Sequence, residues 1–459
     1  MLKGPWTNIR RCNWRLYAIV YVGFTLLFYV VSIVVNPVIN KGHGWLYSLD
    51  FFAELRDAHL ITWGGYQLLY SSGTSLVVPP LGPLTLTPLA LISSAFGFVE
   101  PFPMPLPRPS VLLISIPYLA IFATFFFFAV RQFVSRFGLG GGRIVEVSST
   151  LIVSFALMPW GHIEDVAAIA FVVLGFVKLS EGKALNASYL FGVAIAFQPF
   201  ALLFVIPALL ILVRGRRDCV ISFSRAAIPS IAVYLPLMVT SPLTTINTLL
   251  HQNNFPSVDH LTIVGLVIDG GAKSIAAGPP RLALILVVIA VSLLMRYSRR
   301  YSIHSYSEVF LVIALLSAGR IFFEPVMVPY YVIPTLVYLM LSGVFFKTHL
   351  VVRTAALFVA SCIVVYFASL RMGAVAYSIY VYCGSLVVTS VVSIWYISFS
   401  SASDILRQAI APYRYGDGEV FDEIVQTRGD RSRFGVVPNE ARIDLDDVAP
   451  GGSAGGNES

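Results

Sequence analysis

The sequence predicts an all-α polytopic membrane protein, and three observations carry that prediction. First, 57% of its 459 residues are hydrophobic and only 12% are charged, against about 25% charged in soluble domains. So little charge leaves no adequate polar coat for water, which excludes the soluble-enzyme, nucleic-acid-binding and disordered classes for the bulk of the chain. Second, apolar stretches of bilayer-spanning length, roughly 17–25 residues, recur along it. Third, basic residues gather in every other short connection between those stretches, on one side of the membrane, where they orient a membrane protein.

Taken in order, residues 1–15 form a cytoplasmic N-terminus holding Lys3, Arg10, Arg11 and Arg15. The first span, Leu16–Val38, is too long for a cleavable leader and no small-residue cleavage site follows it. Further spans are expected at 111–130, 145–160, 165–180, 223–240, 281–297, 307–323, 329–346, 353–370 and 377–398. With 187–213 this makes a bundle of about 10–12 transmembrane helices within 16–398. The stretch 187–213 is broken at Gln198-Pro199 and has basic residues at both ends, so it reads as a broken hairpin returning to its own side. That reading leaves 18 basic residues of the membrane part on the cytoplasmic side and six outside (Lys41, Arg56, Arg108, Lys273, Arg281 and Arg371), with Arg320 inside a span. A single crossing there would put Arg296, Arg299 and Arg300 outside, against the positive-inside rule.

The outer face then carries a large first loop, 39–110, bearing short surface helices, and a second at 241–280. Leu81–Val99, opened by Pro79-Pro80 and Gly82-Pro83, reads as a helix packed at the membrane surface or partly inserted in it. The tail, 399–459, holds 6 basic and 11 acidic residues from Ser401 onward and ends in GGSAGGNES. It is expected to be cytoplasmic and mostly disordered, like the N-terminus on the inner side of the plasma membrane. Cys12, Cys219, Cys362 and Cys383 lie far apart without a CxxC pair, which argues against a disulfide framework or a zinc site.

Ionisable residues at membrane depth are costly and mark candidate sites. Here they collect at the outer ends of spans. In 50-DFFAELRDAHLITWGGYQLLY-70, Glu54 and Asp57 stand i, i+3 on a helix face, with Arg56 and His59 nearby and Trp63, Tyr66 and Tyr70 following. A carboxylate can take a proton from a sugar hydroxyl, and aromatic faces suit sugar rings. A solvated loop helix with an Arg56–Glu54 ion pair accounts for the same residues. His162, Glu164 and Asp165 open the span after Pro159. Helix capping needs one acid, and three ionisable groups in four positions favour a site. A His with two carboxylates can also hold a divalent cation, but this ligand set is too short to be specific and no metal is expected. Arg320 and Glu324 are i, i+4 and neutralise each other on one face; alternatively Arg320 grips a phosphate, as guanidinium geometry allows. Tyr330-Tyr331 suit the aromatic belt, and Tyr330 is a candidate pocket residue.

No Walker loop, GxSxG elbow, HExxH or dinucleotide fingerprint is present, and the run Gly138–Arg143 (GLGGGR) reads as a turn. Any transfer chemistry must therefore draw on a donor already in the membrane or outside it.

The order of three features resembles the GT-C superfamily of membrane glycosyltransferases, and most of all the polyprenyl-phosphate-mannose-dependent mannosyltransferases of actinobacteria. They are 57-DAHLITWGGYQLLYSSGTSLVVPPLGPLTLTPLALI-92; 161-GHIED-165 with 191-FGVAIAFQPFALLFVIPAL-209; and 325-PVMVPYYVIP-334. The resemblance covers roughly 15–350. It implies a GT-C-like bundle, with Asp57 as the base that frees an acceptor hydroxyl to attack the anomeric carbon of a polyprenyl-phosphate sugar, with inversion. The partners implied are that donor, a glycolipid or polysaccharide acceptor and membrane lipids, with no cofactor. Glu54, His59, His162, Glu164 and Asp165 would orient the acceptor or tune the base, Arg320 would meet the donor phosphate, and Trp63, Tyr66, Tyr70 and Tyr330 would line the pocket. Two departures stand out: Gln198 replaces a lysine frequent at that hinge, and Asp57 is followed by Ala58-His59 rather than completing a DxD pair. A transporter or lipid flippase, and a catalytically inactive membrane scaffold, are the alternatives. A transporter would place its polar groups near the midplane, where this sequence has few.

Overall fold

The computed structural model describes residues 49–70, 79–96, 109–137, 142–157, 161–213, 215–250, 253–254, 275–276, 278–297, 306–324, 333–342 and 344–345, with isolated positions such as Tyr17, Tyr21 and Tyr331. All of them fall within Met1–Phe399. Most of the expected first span, the spans expected at 353–370 and 377–398, the tail and Tyr330 lie outside the described residues.

The described chain is helical: α1 Leu49–Thr62, α2 Leu81–Ala95, α3 Pro109–Phe137, α4 Gly142–Leu157, α5 Ile163–Ser180, α6 Ala184–Phe197, α7 Leu202–Leu212, α8 Arg216–Thr240, α9 Pro242–Leu250, α10 Gly278–Tyr297, α11 Tyr306–Ala318, α12 Arg320–Phe323 and α13 Ile333–Ser342. The one departure from the all-α expectation among the described residues is a two-residue antiparallel pairing of Asn253–Asn254 with Ile275–Ala276. Three helical stretches, Tyr118–Phe137, Arg216–Thr240 and Gly278–Tyr297, are long and apolar enough to cross a membrane. Apolar side chains such as Ile231, Val239, Leu286 and Leu294 point outward from α8 and α10, as lipid-facing residues do. The span expected at 307–323 is interrupted, α11 ending before Gly319 and α12 starting after it.

Helix α5 shows how local sequence sets the frame. Glu164 and Asp165 occupy its first turn and Lys178 its last, matching the helix dipole. Gly182, at φ +75°, ends it. The Lys183 amide then donates to the Lys178 carbonyl and the Gly182 amide to that of Leu179, a Schellman cap. Between these ends α5 is almost wholly buried, packed on α3 and α6. Phe133 of α3 anchors an aromatic cluster with Phe137, Phe310 and Phe345, which Phe176 of α5 and Tyr338 of α13 join through Phe310.

Helices α6 and α8 touch backbone to backbone at Gly192. A Cβ there would collide with the Ala226 carbonyl and lie 2.8 Å from the Pro229 ring. Neither obstacle can swing away, so Gly192→Ala should cost about 1–3 kcal/mol, read as a lower melting temperature of the full chain in detergent. Gly23→Ala, with nothing among the described residues within 4 Å of its Cβ, should show no loss.

The two ends of the bundle differ in chemistry. At one, Arg131 bonds Glu146 at 2.6 Å, Arg136 donates to Ser180, and Lys178 and Lys183 hold Glu181. Arg296 donates to the last carbonyls of α7, those of Leu210 and Val213, as cations at a helix C-terminus do. The N-termini of α5 and α10 and the turn between α6 and α7 are directed the other way. There the acids gather.

Candidate functional site

The site is built on helix starts and one broken helix. Gly161, at φ +75°, turns the chain into α5 and leaves His162 at the N-cap position, where its side chain makes no capping bond. The ring turns to the acids instead: His162 Nδ1 lies 2.6 Å from Glu164 Oε1. Glu54 of α1 completes the group. One ligand atom from each of Glu54, His162 and Glu164 lies within 4.8 Å of the others, all three residues buried. These are the side chains that could hold a metal ion.

Asp165, the next residue, accepts a bond from Gln198 Nε2 at 2.8 Å. Gln198 can reach it because Pro199 forces the preceding residue into extended backbone. Gln198 sits at φ −154°, ψ 117°, breaking α6 before the short 3-10 turn Pro199–Ala201 and α7. Arg320 is close enough for its charge to act on Asp165. Its guanidinium carbon lies 3.8 Å from the Tyr331 ring centre and 5.1 Å from that of Phe200, while Nε donates to Glu324 Oε1 at 2.9 Å. Glu324 is gripped from the other side by Arg281 Nε, also at 2.9 Å. Arg320 Nη1 is sealed from solvent and meets no acceptor among the described residues. A buried cation with an N–H to spare is suited to an oxyanion.

Asp57 stands one turn beyond Glu54 on α1, 3% exposed and bonded by Arg56 Nη2 at 3.2 Å. Burial pushes its carboxyl up to about 6, against the pull of the Arg56 charge. That value suits a group that must be ionised at neutral pH yet still take a proton. Tyr70 lies near enough to feel the Asp57 charge and is hydrogen-bonded to Tyr234 of α8; Tyr66 donates to the Val233 carbonyl at 2.5 Å. These phenols tie the segment after α1 to α8.

The chain matches no protein-family model, no curated protein and no solved structure.

Of the candidates read from sequence, Glu54, His162, Glu164, Asp165 and Arg320 come together at one end of the bundle, with Asp57 a turn away. His59 does not join them: Ser93 Oγ and Ser94 Oγ of α2 each lie 3.0 Å from one of its ring nitrogens. It fastens α1 to α2, and burial holds its ring below the ordinary imidazole range. Trp63 is 68% exposed and meets His59 at 6.2 Å between ring centres. Sequence reasoning missed Tyr234, Arg281 and the place of Tyr331. The i, i+4 spacing signals Glu324 on Arg320, but nothing in the sequence signals Arg281.

Proposed function

We propose that the chain is a membrane glycosyltransferase of the GT-C kind. It moves a sugar, mannose by the resemblance, from polyprenyl phosphate to a hydroxyl of a glycolipid or cell-envelope glycan, with inversion. Asp57 is the base that takes the hydroxyl proton as the oxygen attacks the anomeric carbon. The phosphate leaves towards Arg320, whose spare N–H and stacked, fixed plane suit a departing oxyanion. Glu54, Glu164 and Asp165, ordered by His162 and Gln198, set the acceptor and the field around the base. Tyr70 and Tyr66 wall the acceptor side. This end of the bundle faces the outside of the plasma membrane, because the basic residues at the opposite end belong in the cytoplasm. About 10–12 crossings with both termini inside complete the arrangement.

The observation that carries this reading is the convergence of helix α1, from the first loop, with the acidic start of α5 and the buried Arg320. A transporter has no evident use for a carboxylate held near 6 beside tyrosines at the mouth of the bundle. The test is transfer by the purified chain in lipid nanodiscs, supplied with a radiolabelled polyprenyl-phosphate mannose and a membrane glycolipid extract. Labelled glycolipid is expected with the wild type, and Arg320→Gln should lower transfer at least tenfold. Transfer unchanged by both Asp57→Asn and Arg320→Gln would overturn the assignment.

A further inference from the structure

We propose that Glu54, His162 and Glu164 form a binding site for one divalent transition-metal ion. Such a site does not depend on sugar transfer. Three potential ligand atoms lie within 4.8 Å of one another, although Glu54 and His162 stand 108 positions apart in the chain. Two are carboxylates and one an imidazole, a mixed oxygen and nitrogen set that suits Mn2+ or Zn2+ better than Mg2+ or Ca2+.

Burial makes the arrangement costly without a cation. Glu54 is 0% and Glu164 2% exposed. Glu164 Oε2 is sealed from water, and no amide, amine, guanidinium or hydroxyl among the described residues donates to it. The Glu54 carboxyl lies within reach of the Glu164 side chain. Two carboxylates held together in an apolar setting repel one another strongly. Among the ion pairs close by, Arg56 holds Asp57, and Arg281 and Arg320 hold Glu324. A divalent ion between the two glutamates removes the repulsion, and His162 supplies the third ligand.

The ring nitrogen and Glu164 share a proton across 2.6 Å. Ion binding displaces that proton, since imidazole and carboxylate ligate in their deprotonated forms. Three protein ligands also leave at least one coordination position for an outside oxygen, as in catalytic rather than structural metal sites. The adjacent acid, Asp165, accepts the Gln198 amide at 2.8 Å.

The experiment uses the full chain in detergent, tag removed, stripped with a chelator and re-equilibrated with Mn2+ or Zn2+ at pH 7.5. Metal content is then measured after gel filtration. About one ion per chain is expected. Glu164→Gln and His162→Gln should each weaken binding at least tenfold, whereas Asp57→Asn should keep the ion. Melting temperature should rise with Mn2+ or Zn2+ and stay unchanged with the same concentration of Mg2+. A substitution at a buried site can spoil folding, so wild type loaded with Cu2+ supplies an independent reading: its electron spin echo should carry the modulation of a single imidazole. Wild type holding no ion above the chelated blank overturns the proposal, as does a Cu2+ signal without imidazole. Monodisperse Glu54→Gln, His162→Gln and Glu164→Gln proteins that each keep a full equivalent do the same. In the first case the two glutamates are sharing a proton instead.

Discussion

Replacing Arg320 by methionine should cost the fold about 3–5 kcal/mol, the usual result of removing one partner from a buried ion pair. The guanidinium is 8% exposed, bonded to Glu324 and stacked on Tyr331. Its removal leaves Glu324, itself 3% exposed, with Arg281 as its remaining ion-pair partner among the described residues; that side chain is one-third exposed and therefore better hydrated and more weakly coupled. Arg320→Lys should recover little. An ammonium is a point charge that cannot lie flat on Tyr331 while donating in its own plane to Glu324. The double variant Arg320→Met/Glu324→Gln should melt closer to wild type than Arg320→Met does, because no stranded carboxylate remains. Transfer should nevertheless stay lost in the double variant, since no cation is left for the leaving phosphate. Recovery of folding without recovery of transfer separates the two roles of this arginine. A single Arg320→Met protein that melts with wild type would show the pair to be dispensable to the framework.

How much of this was legible in advance depends on whether the cause was local. The start and end of α5 were: acids in the first turn, Lys178 in the last and Gly182 beyond it follow from the helix dipole and the left-handed cap. The break at Gln198-Pro199 was legible too, because proline restricts the residue before it. That the Gln198 amide then meets Asp165 is a tertiary fact, set by how α6 lies along α5. His59 shows how helix geometry divides residues that lie close together in the sequence. At about 100° per residue, Asp57 lies about 60° from Glu54 around the helix, but His59 lies about 140° away. The two carboxylates can share a face while the imidazole is turned to α2 and its serines. Tyr331, expected in the aromatic belt, stacks on Arg320, a choice decided by a residue eleven positions earlier in the chain and by Phe200 on another element. Glu54 joining His162 and Glu164, and Arg281 joining Glu324, connect segments with no periodic relation. No pattern in a single sequence encodes such meetings.

Asp57→Asn should do two opposite things: abolish transfer and stabilise the fold. A positioned general base contributes about 10²–10⁴ in rate, and an amide cannot take the proton, so a loss of that size is expected in kcat/KM. The pH profile of the wild type should carry the same signature. The base must be ionised, so kcat/KM should rise with pH through about 6, the value to which burial lifts this carboxyl. Arg56 holds that value down, so Arg56→Gln should move the acid limb to higher pH. For stability, the carboxyl titrates near 6 when folded and near 3.8 in its ordinary state. Between those values the folded chain binds the extra proton, so stability declines as pH rises from about 4 to about 6. Above 6 the full penalty applies, about 3 kcal/mol as an upper bound at 1.36 kcal/mol per unit. An asparagine side chain carries no charge and escapes it. The Asp57→Asn protein should therefore melt above wild type at pH 7.5, with the gain shrinking towards zero near pH 4. A variant that melts below wild type at pH 7.5 would mean that the carboxylate is welcome where it sits. A pocket that welcomes the charge gives no reason for the carboxyl to be held near neutrality, and the case for Asp57 as the base would go with it.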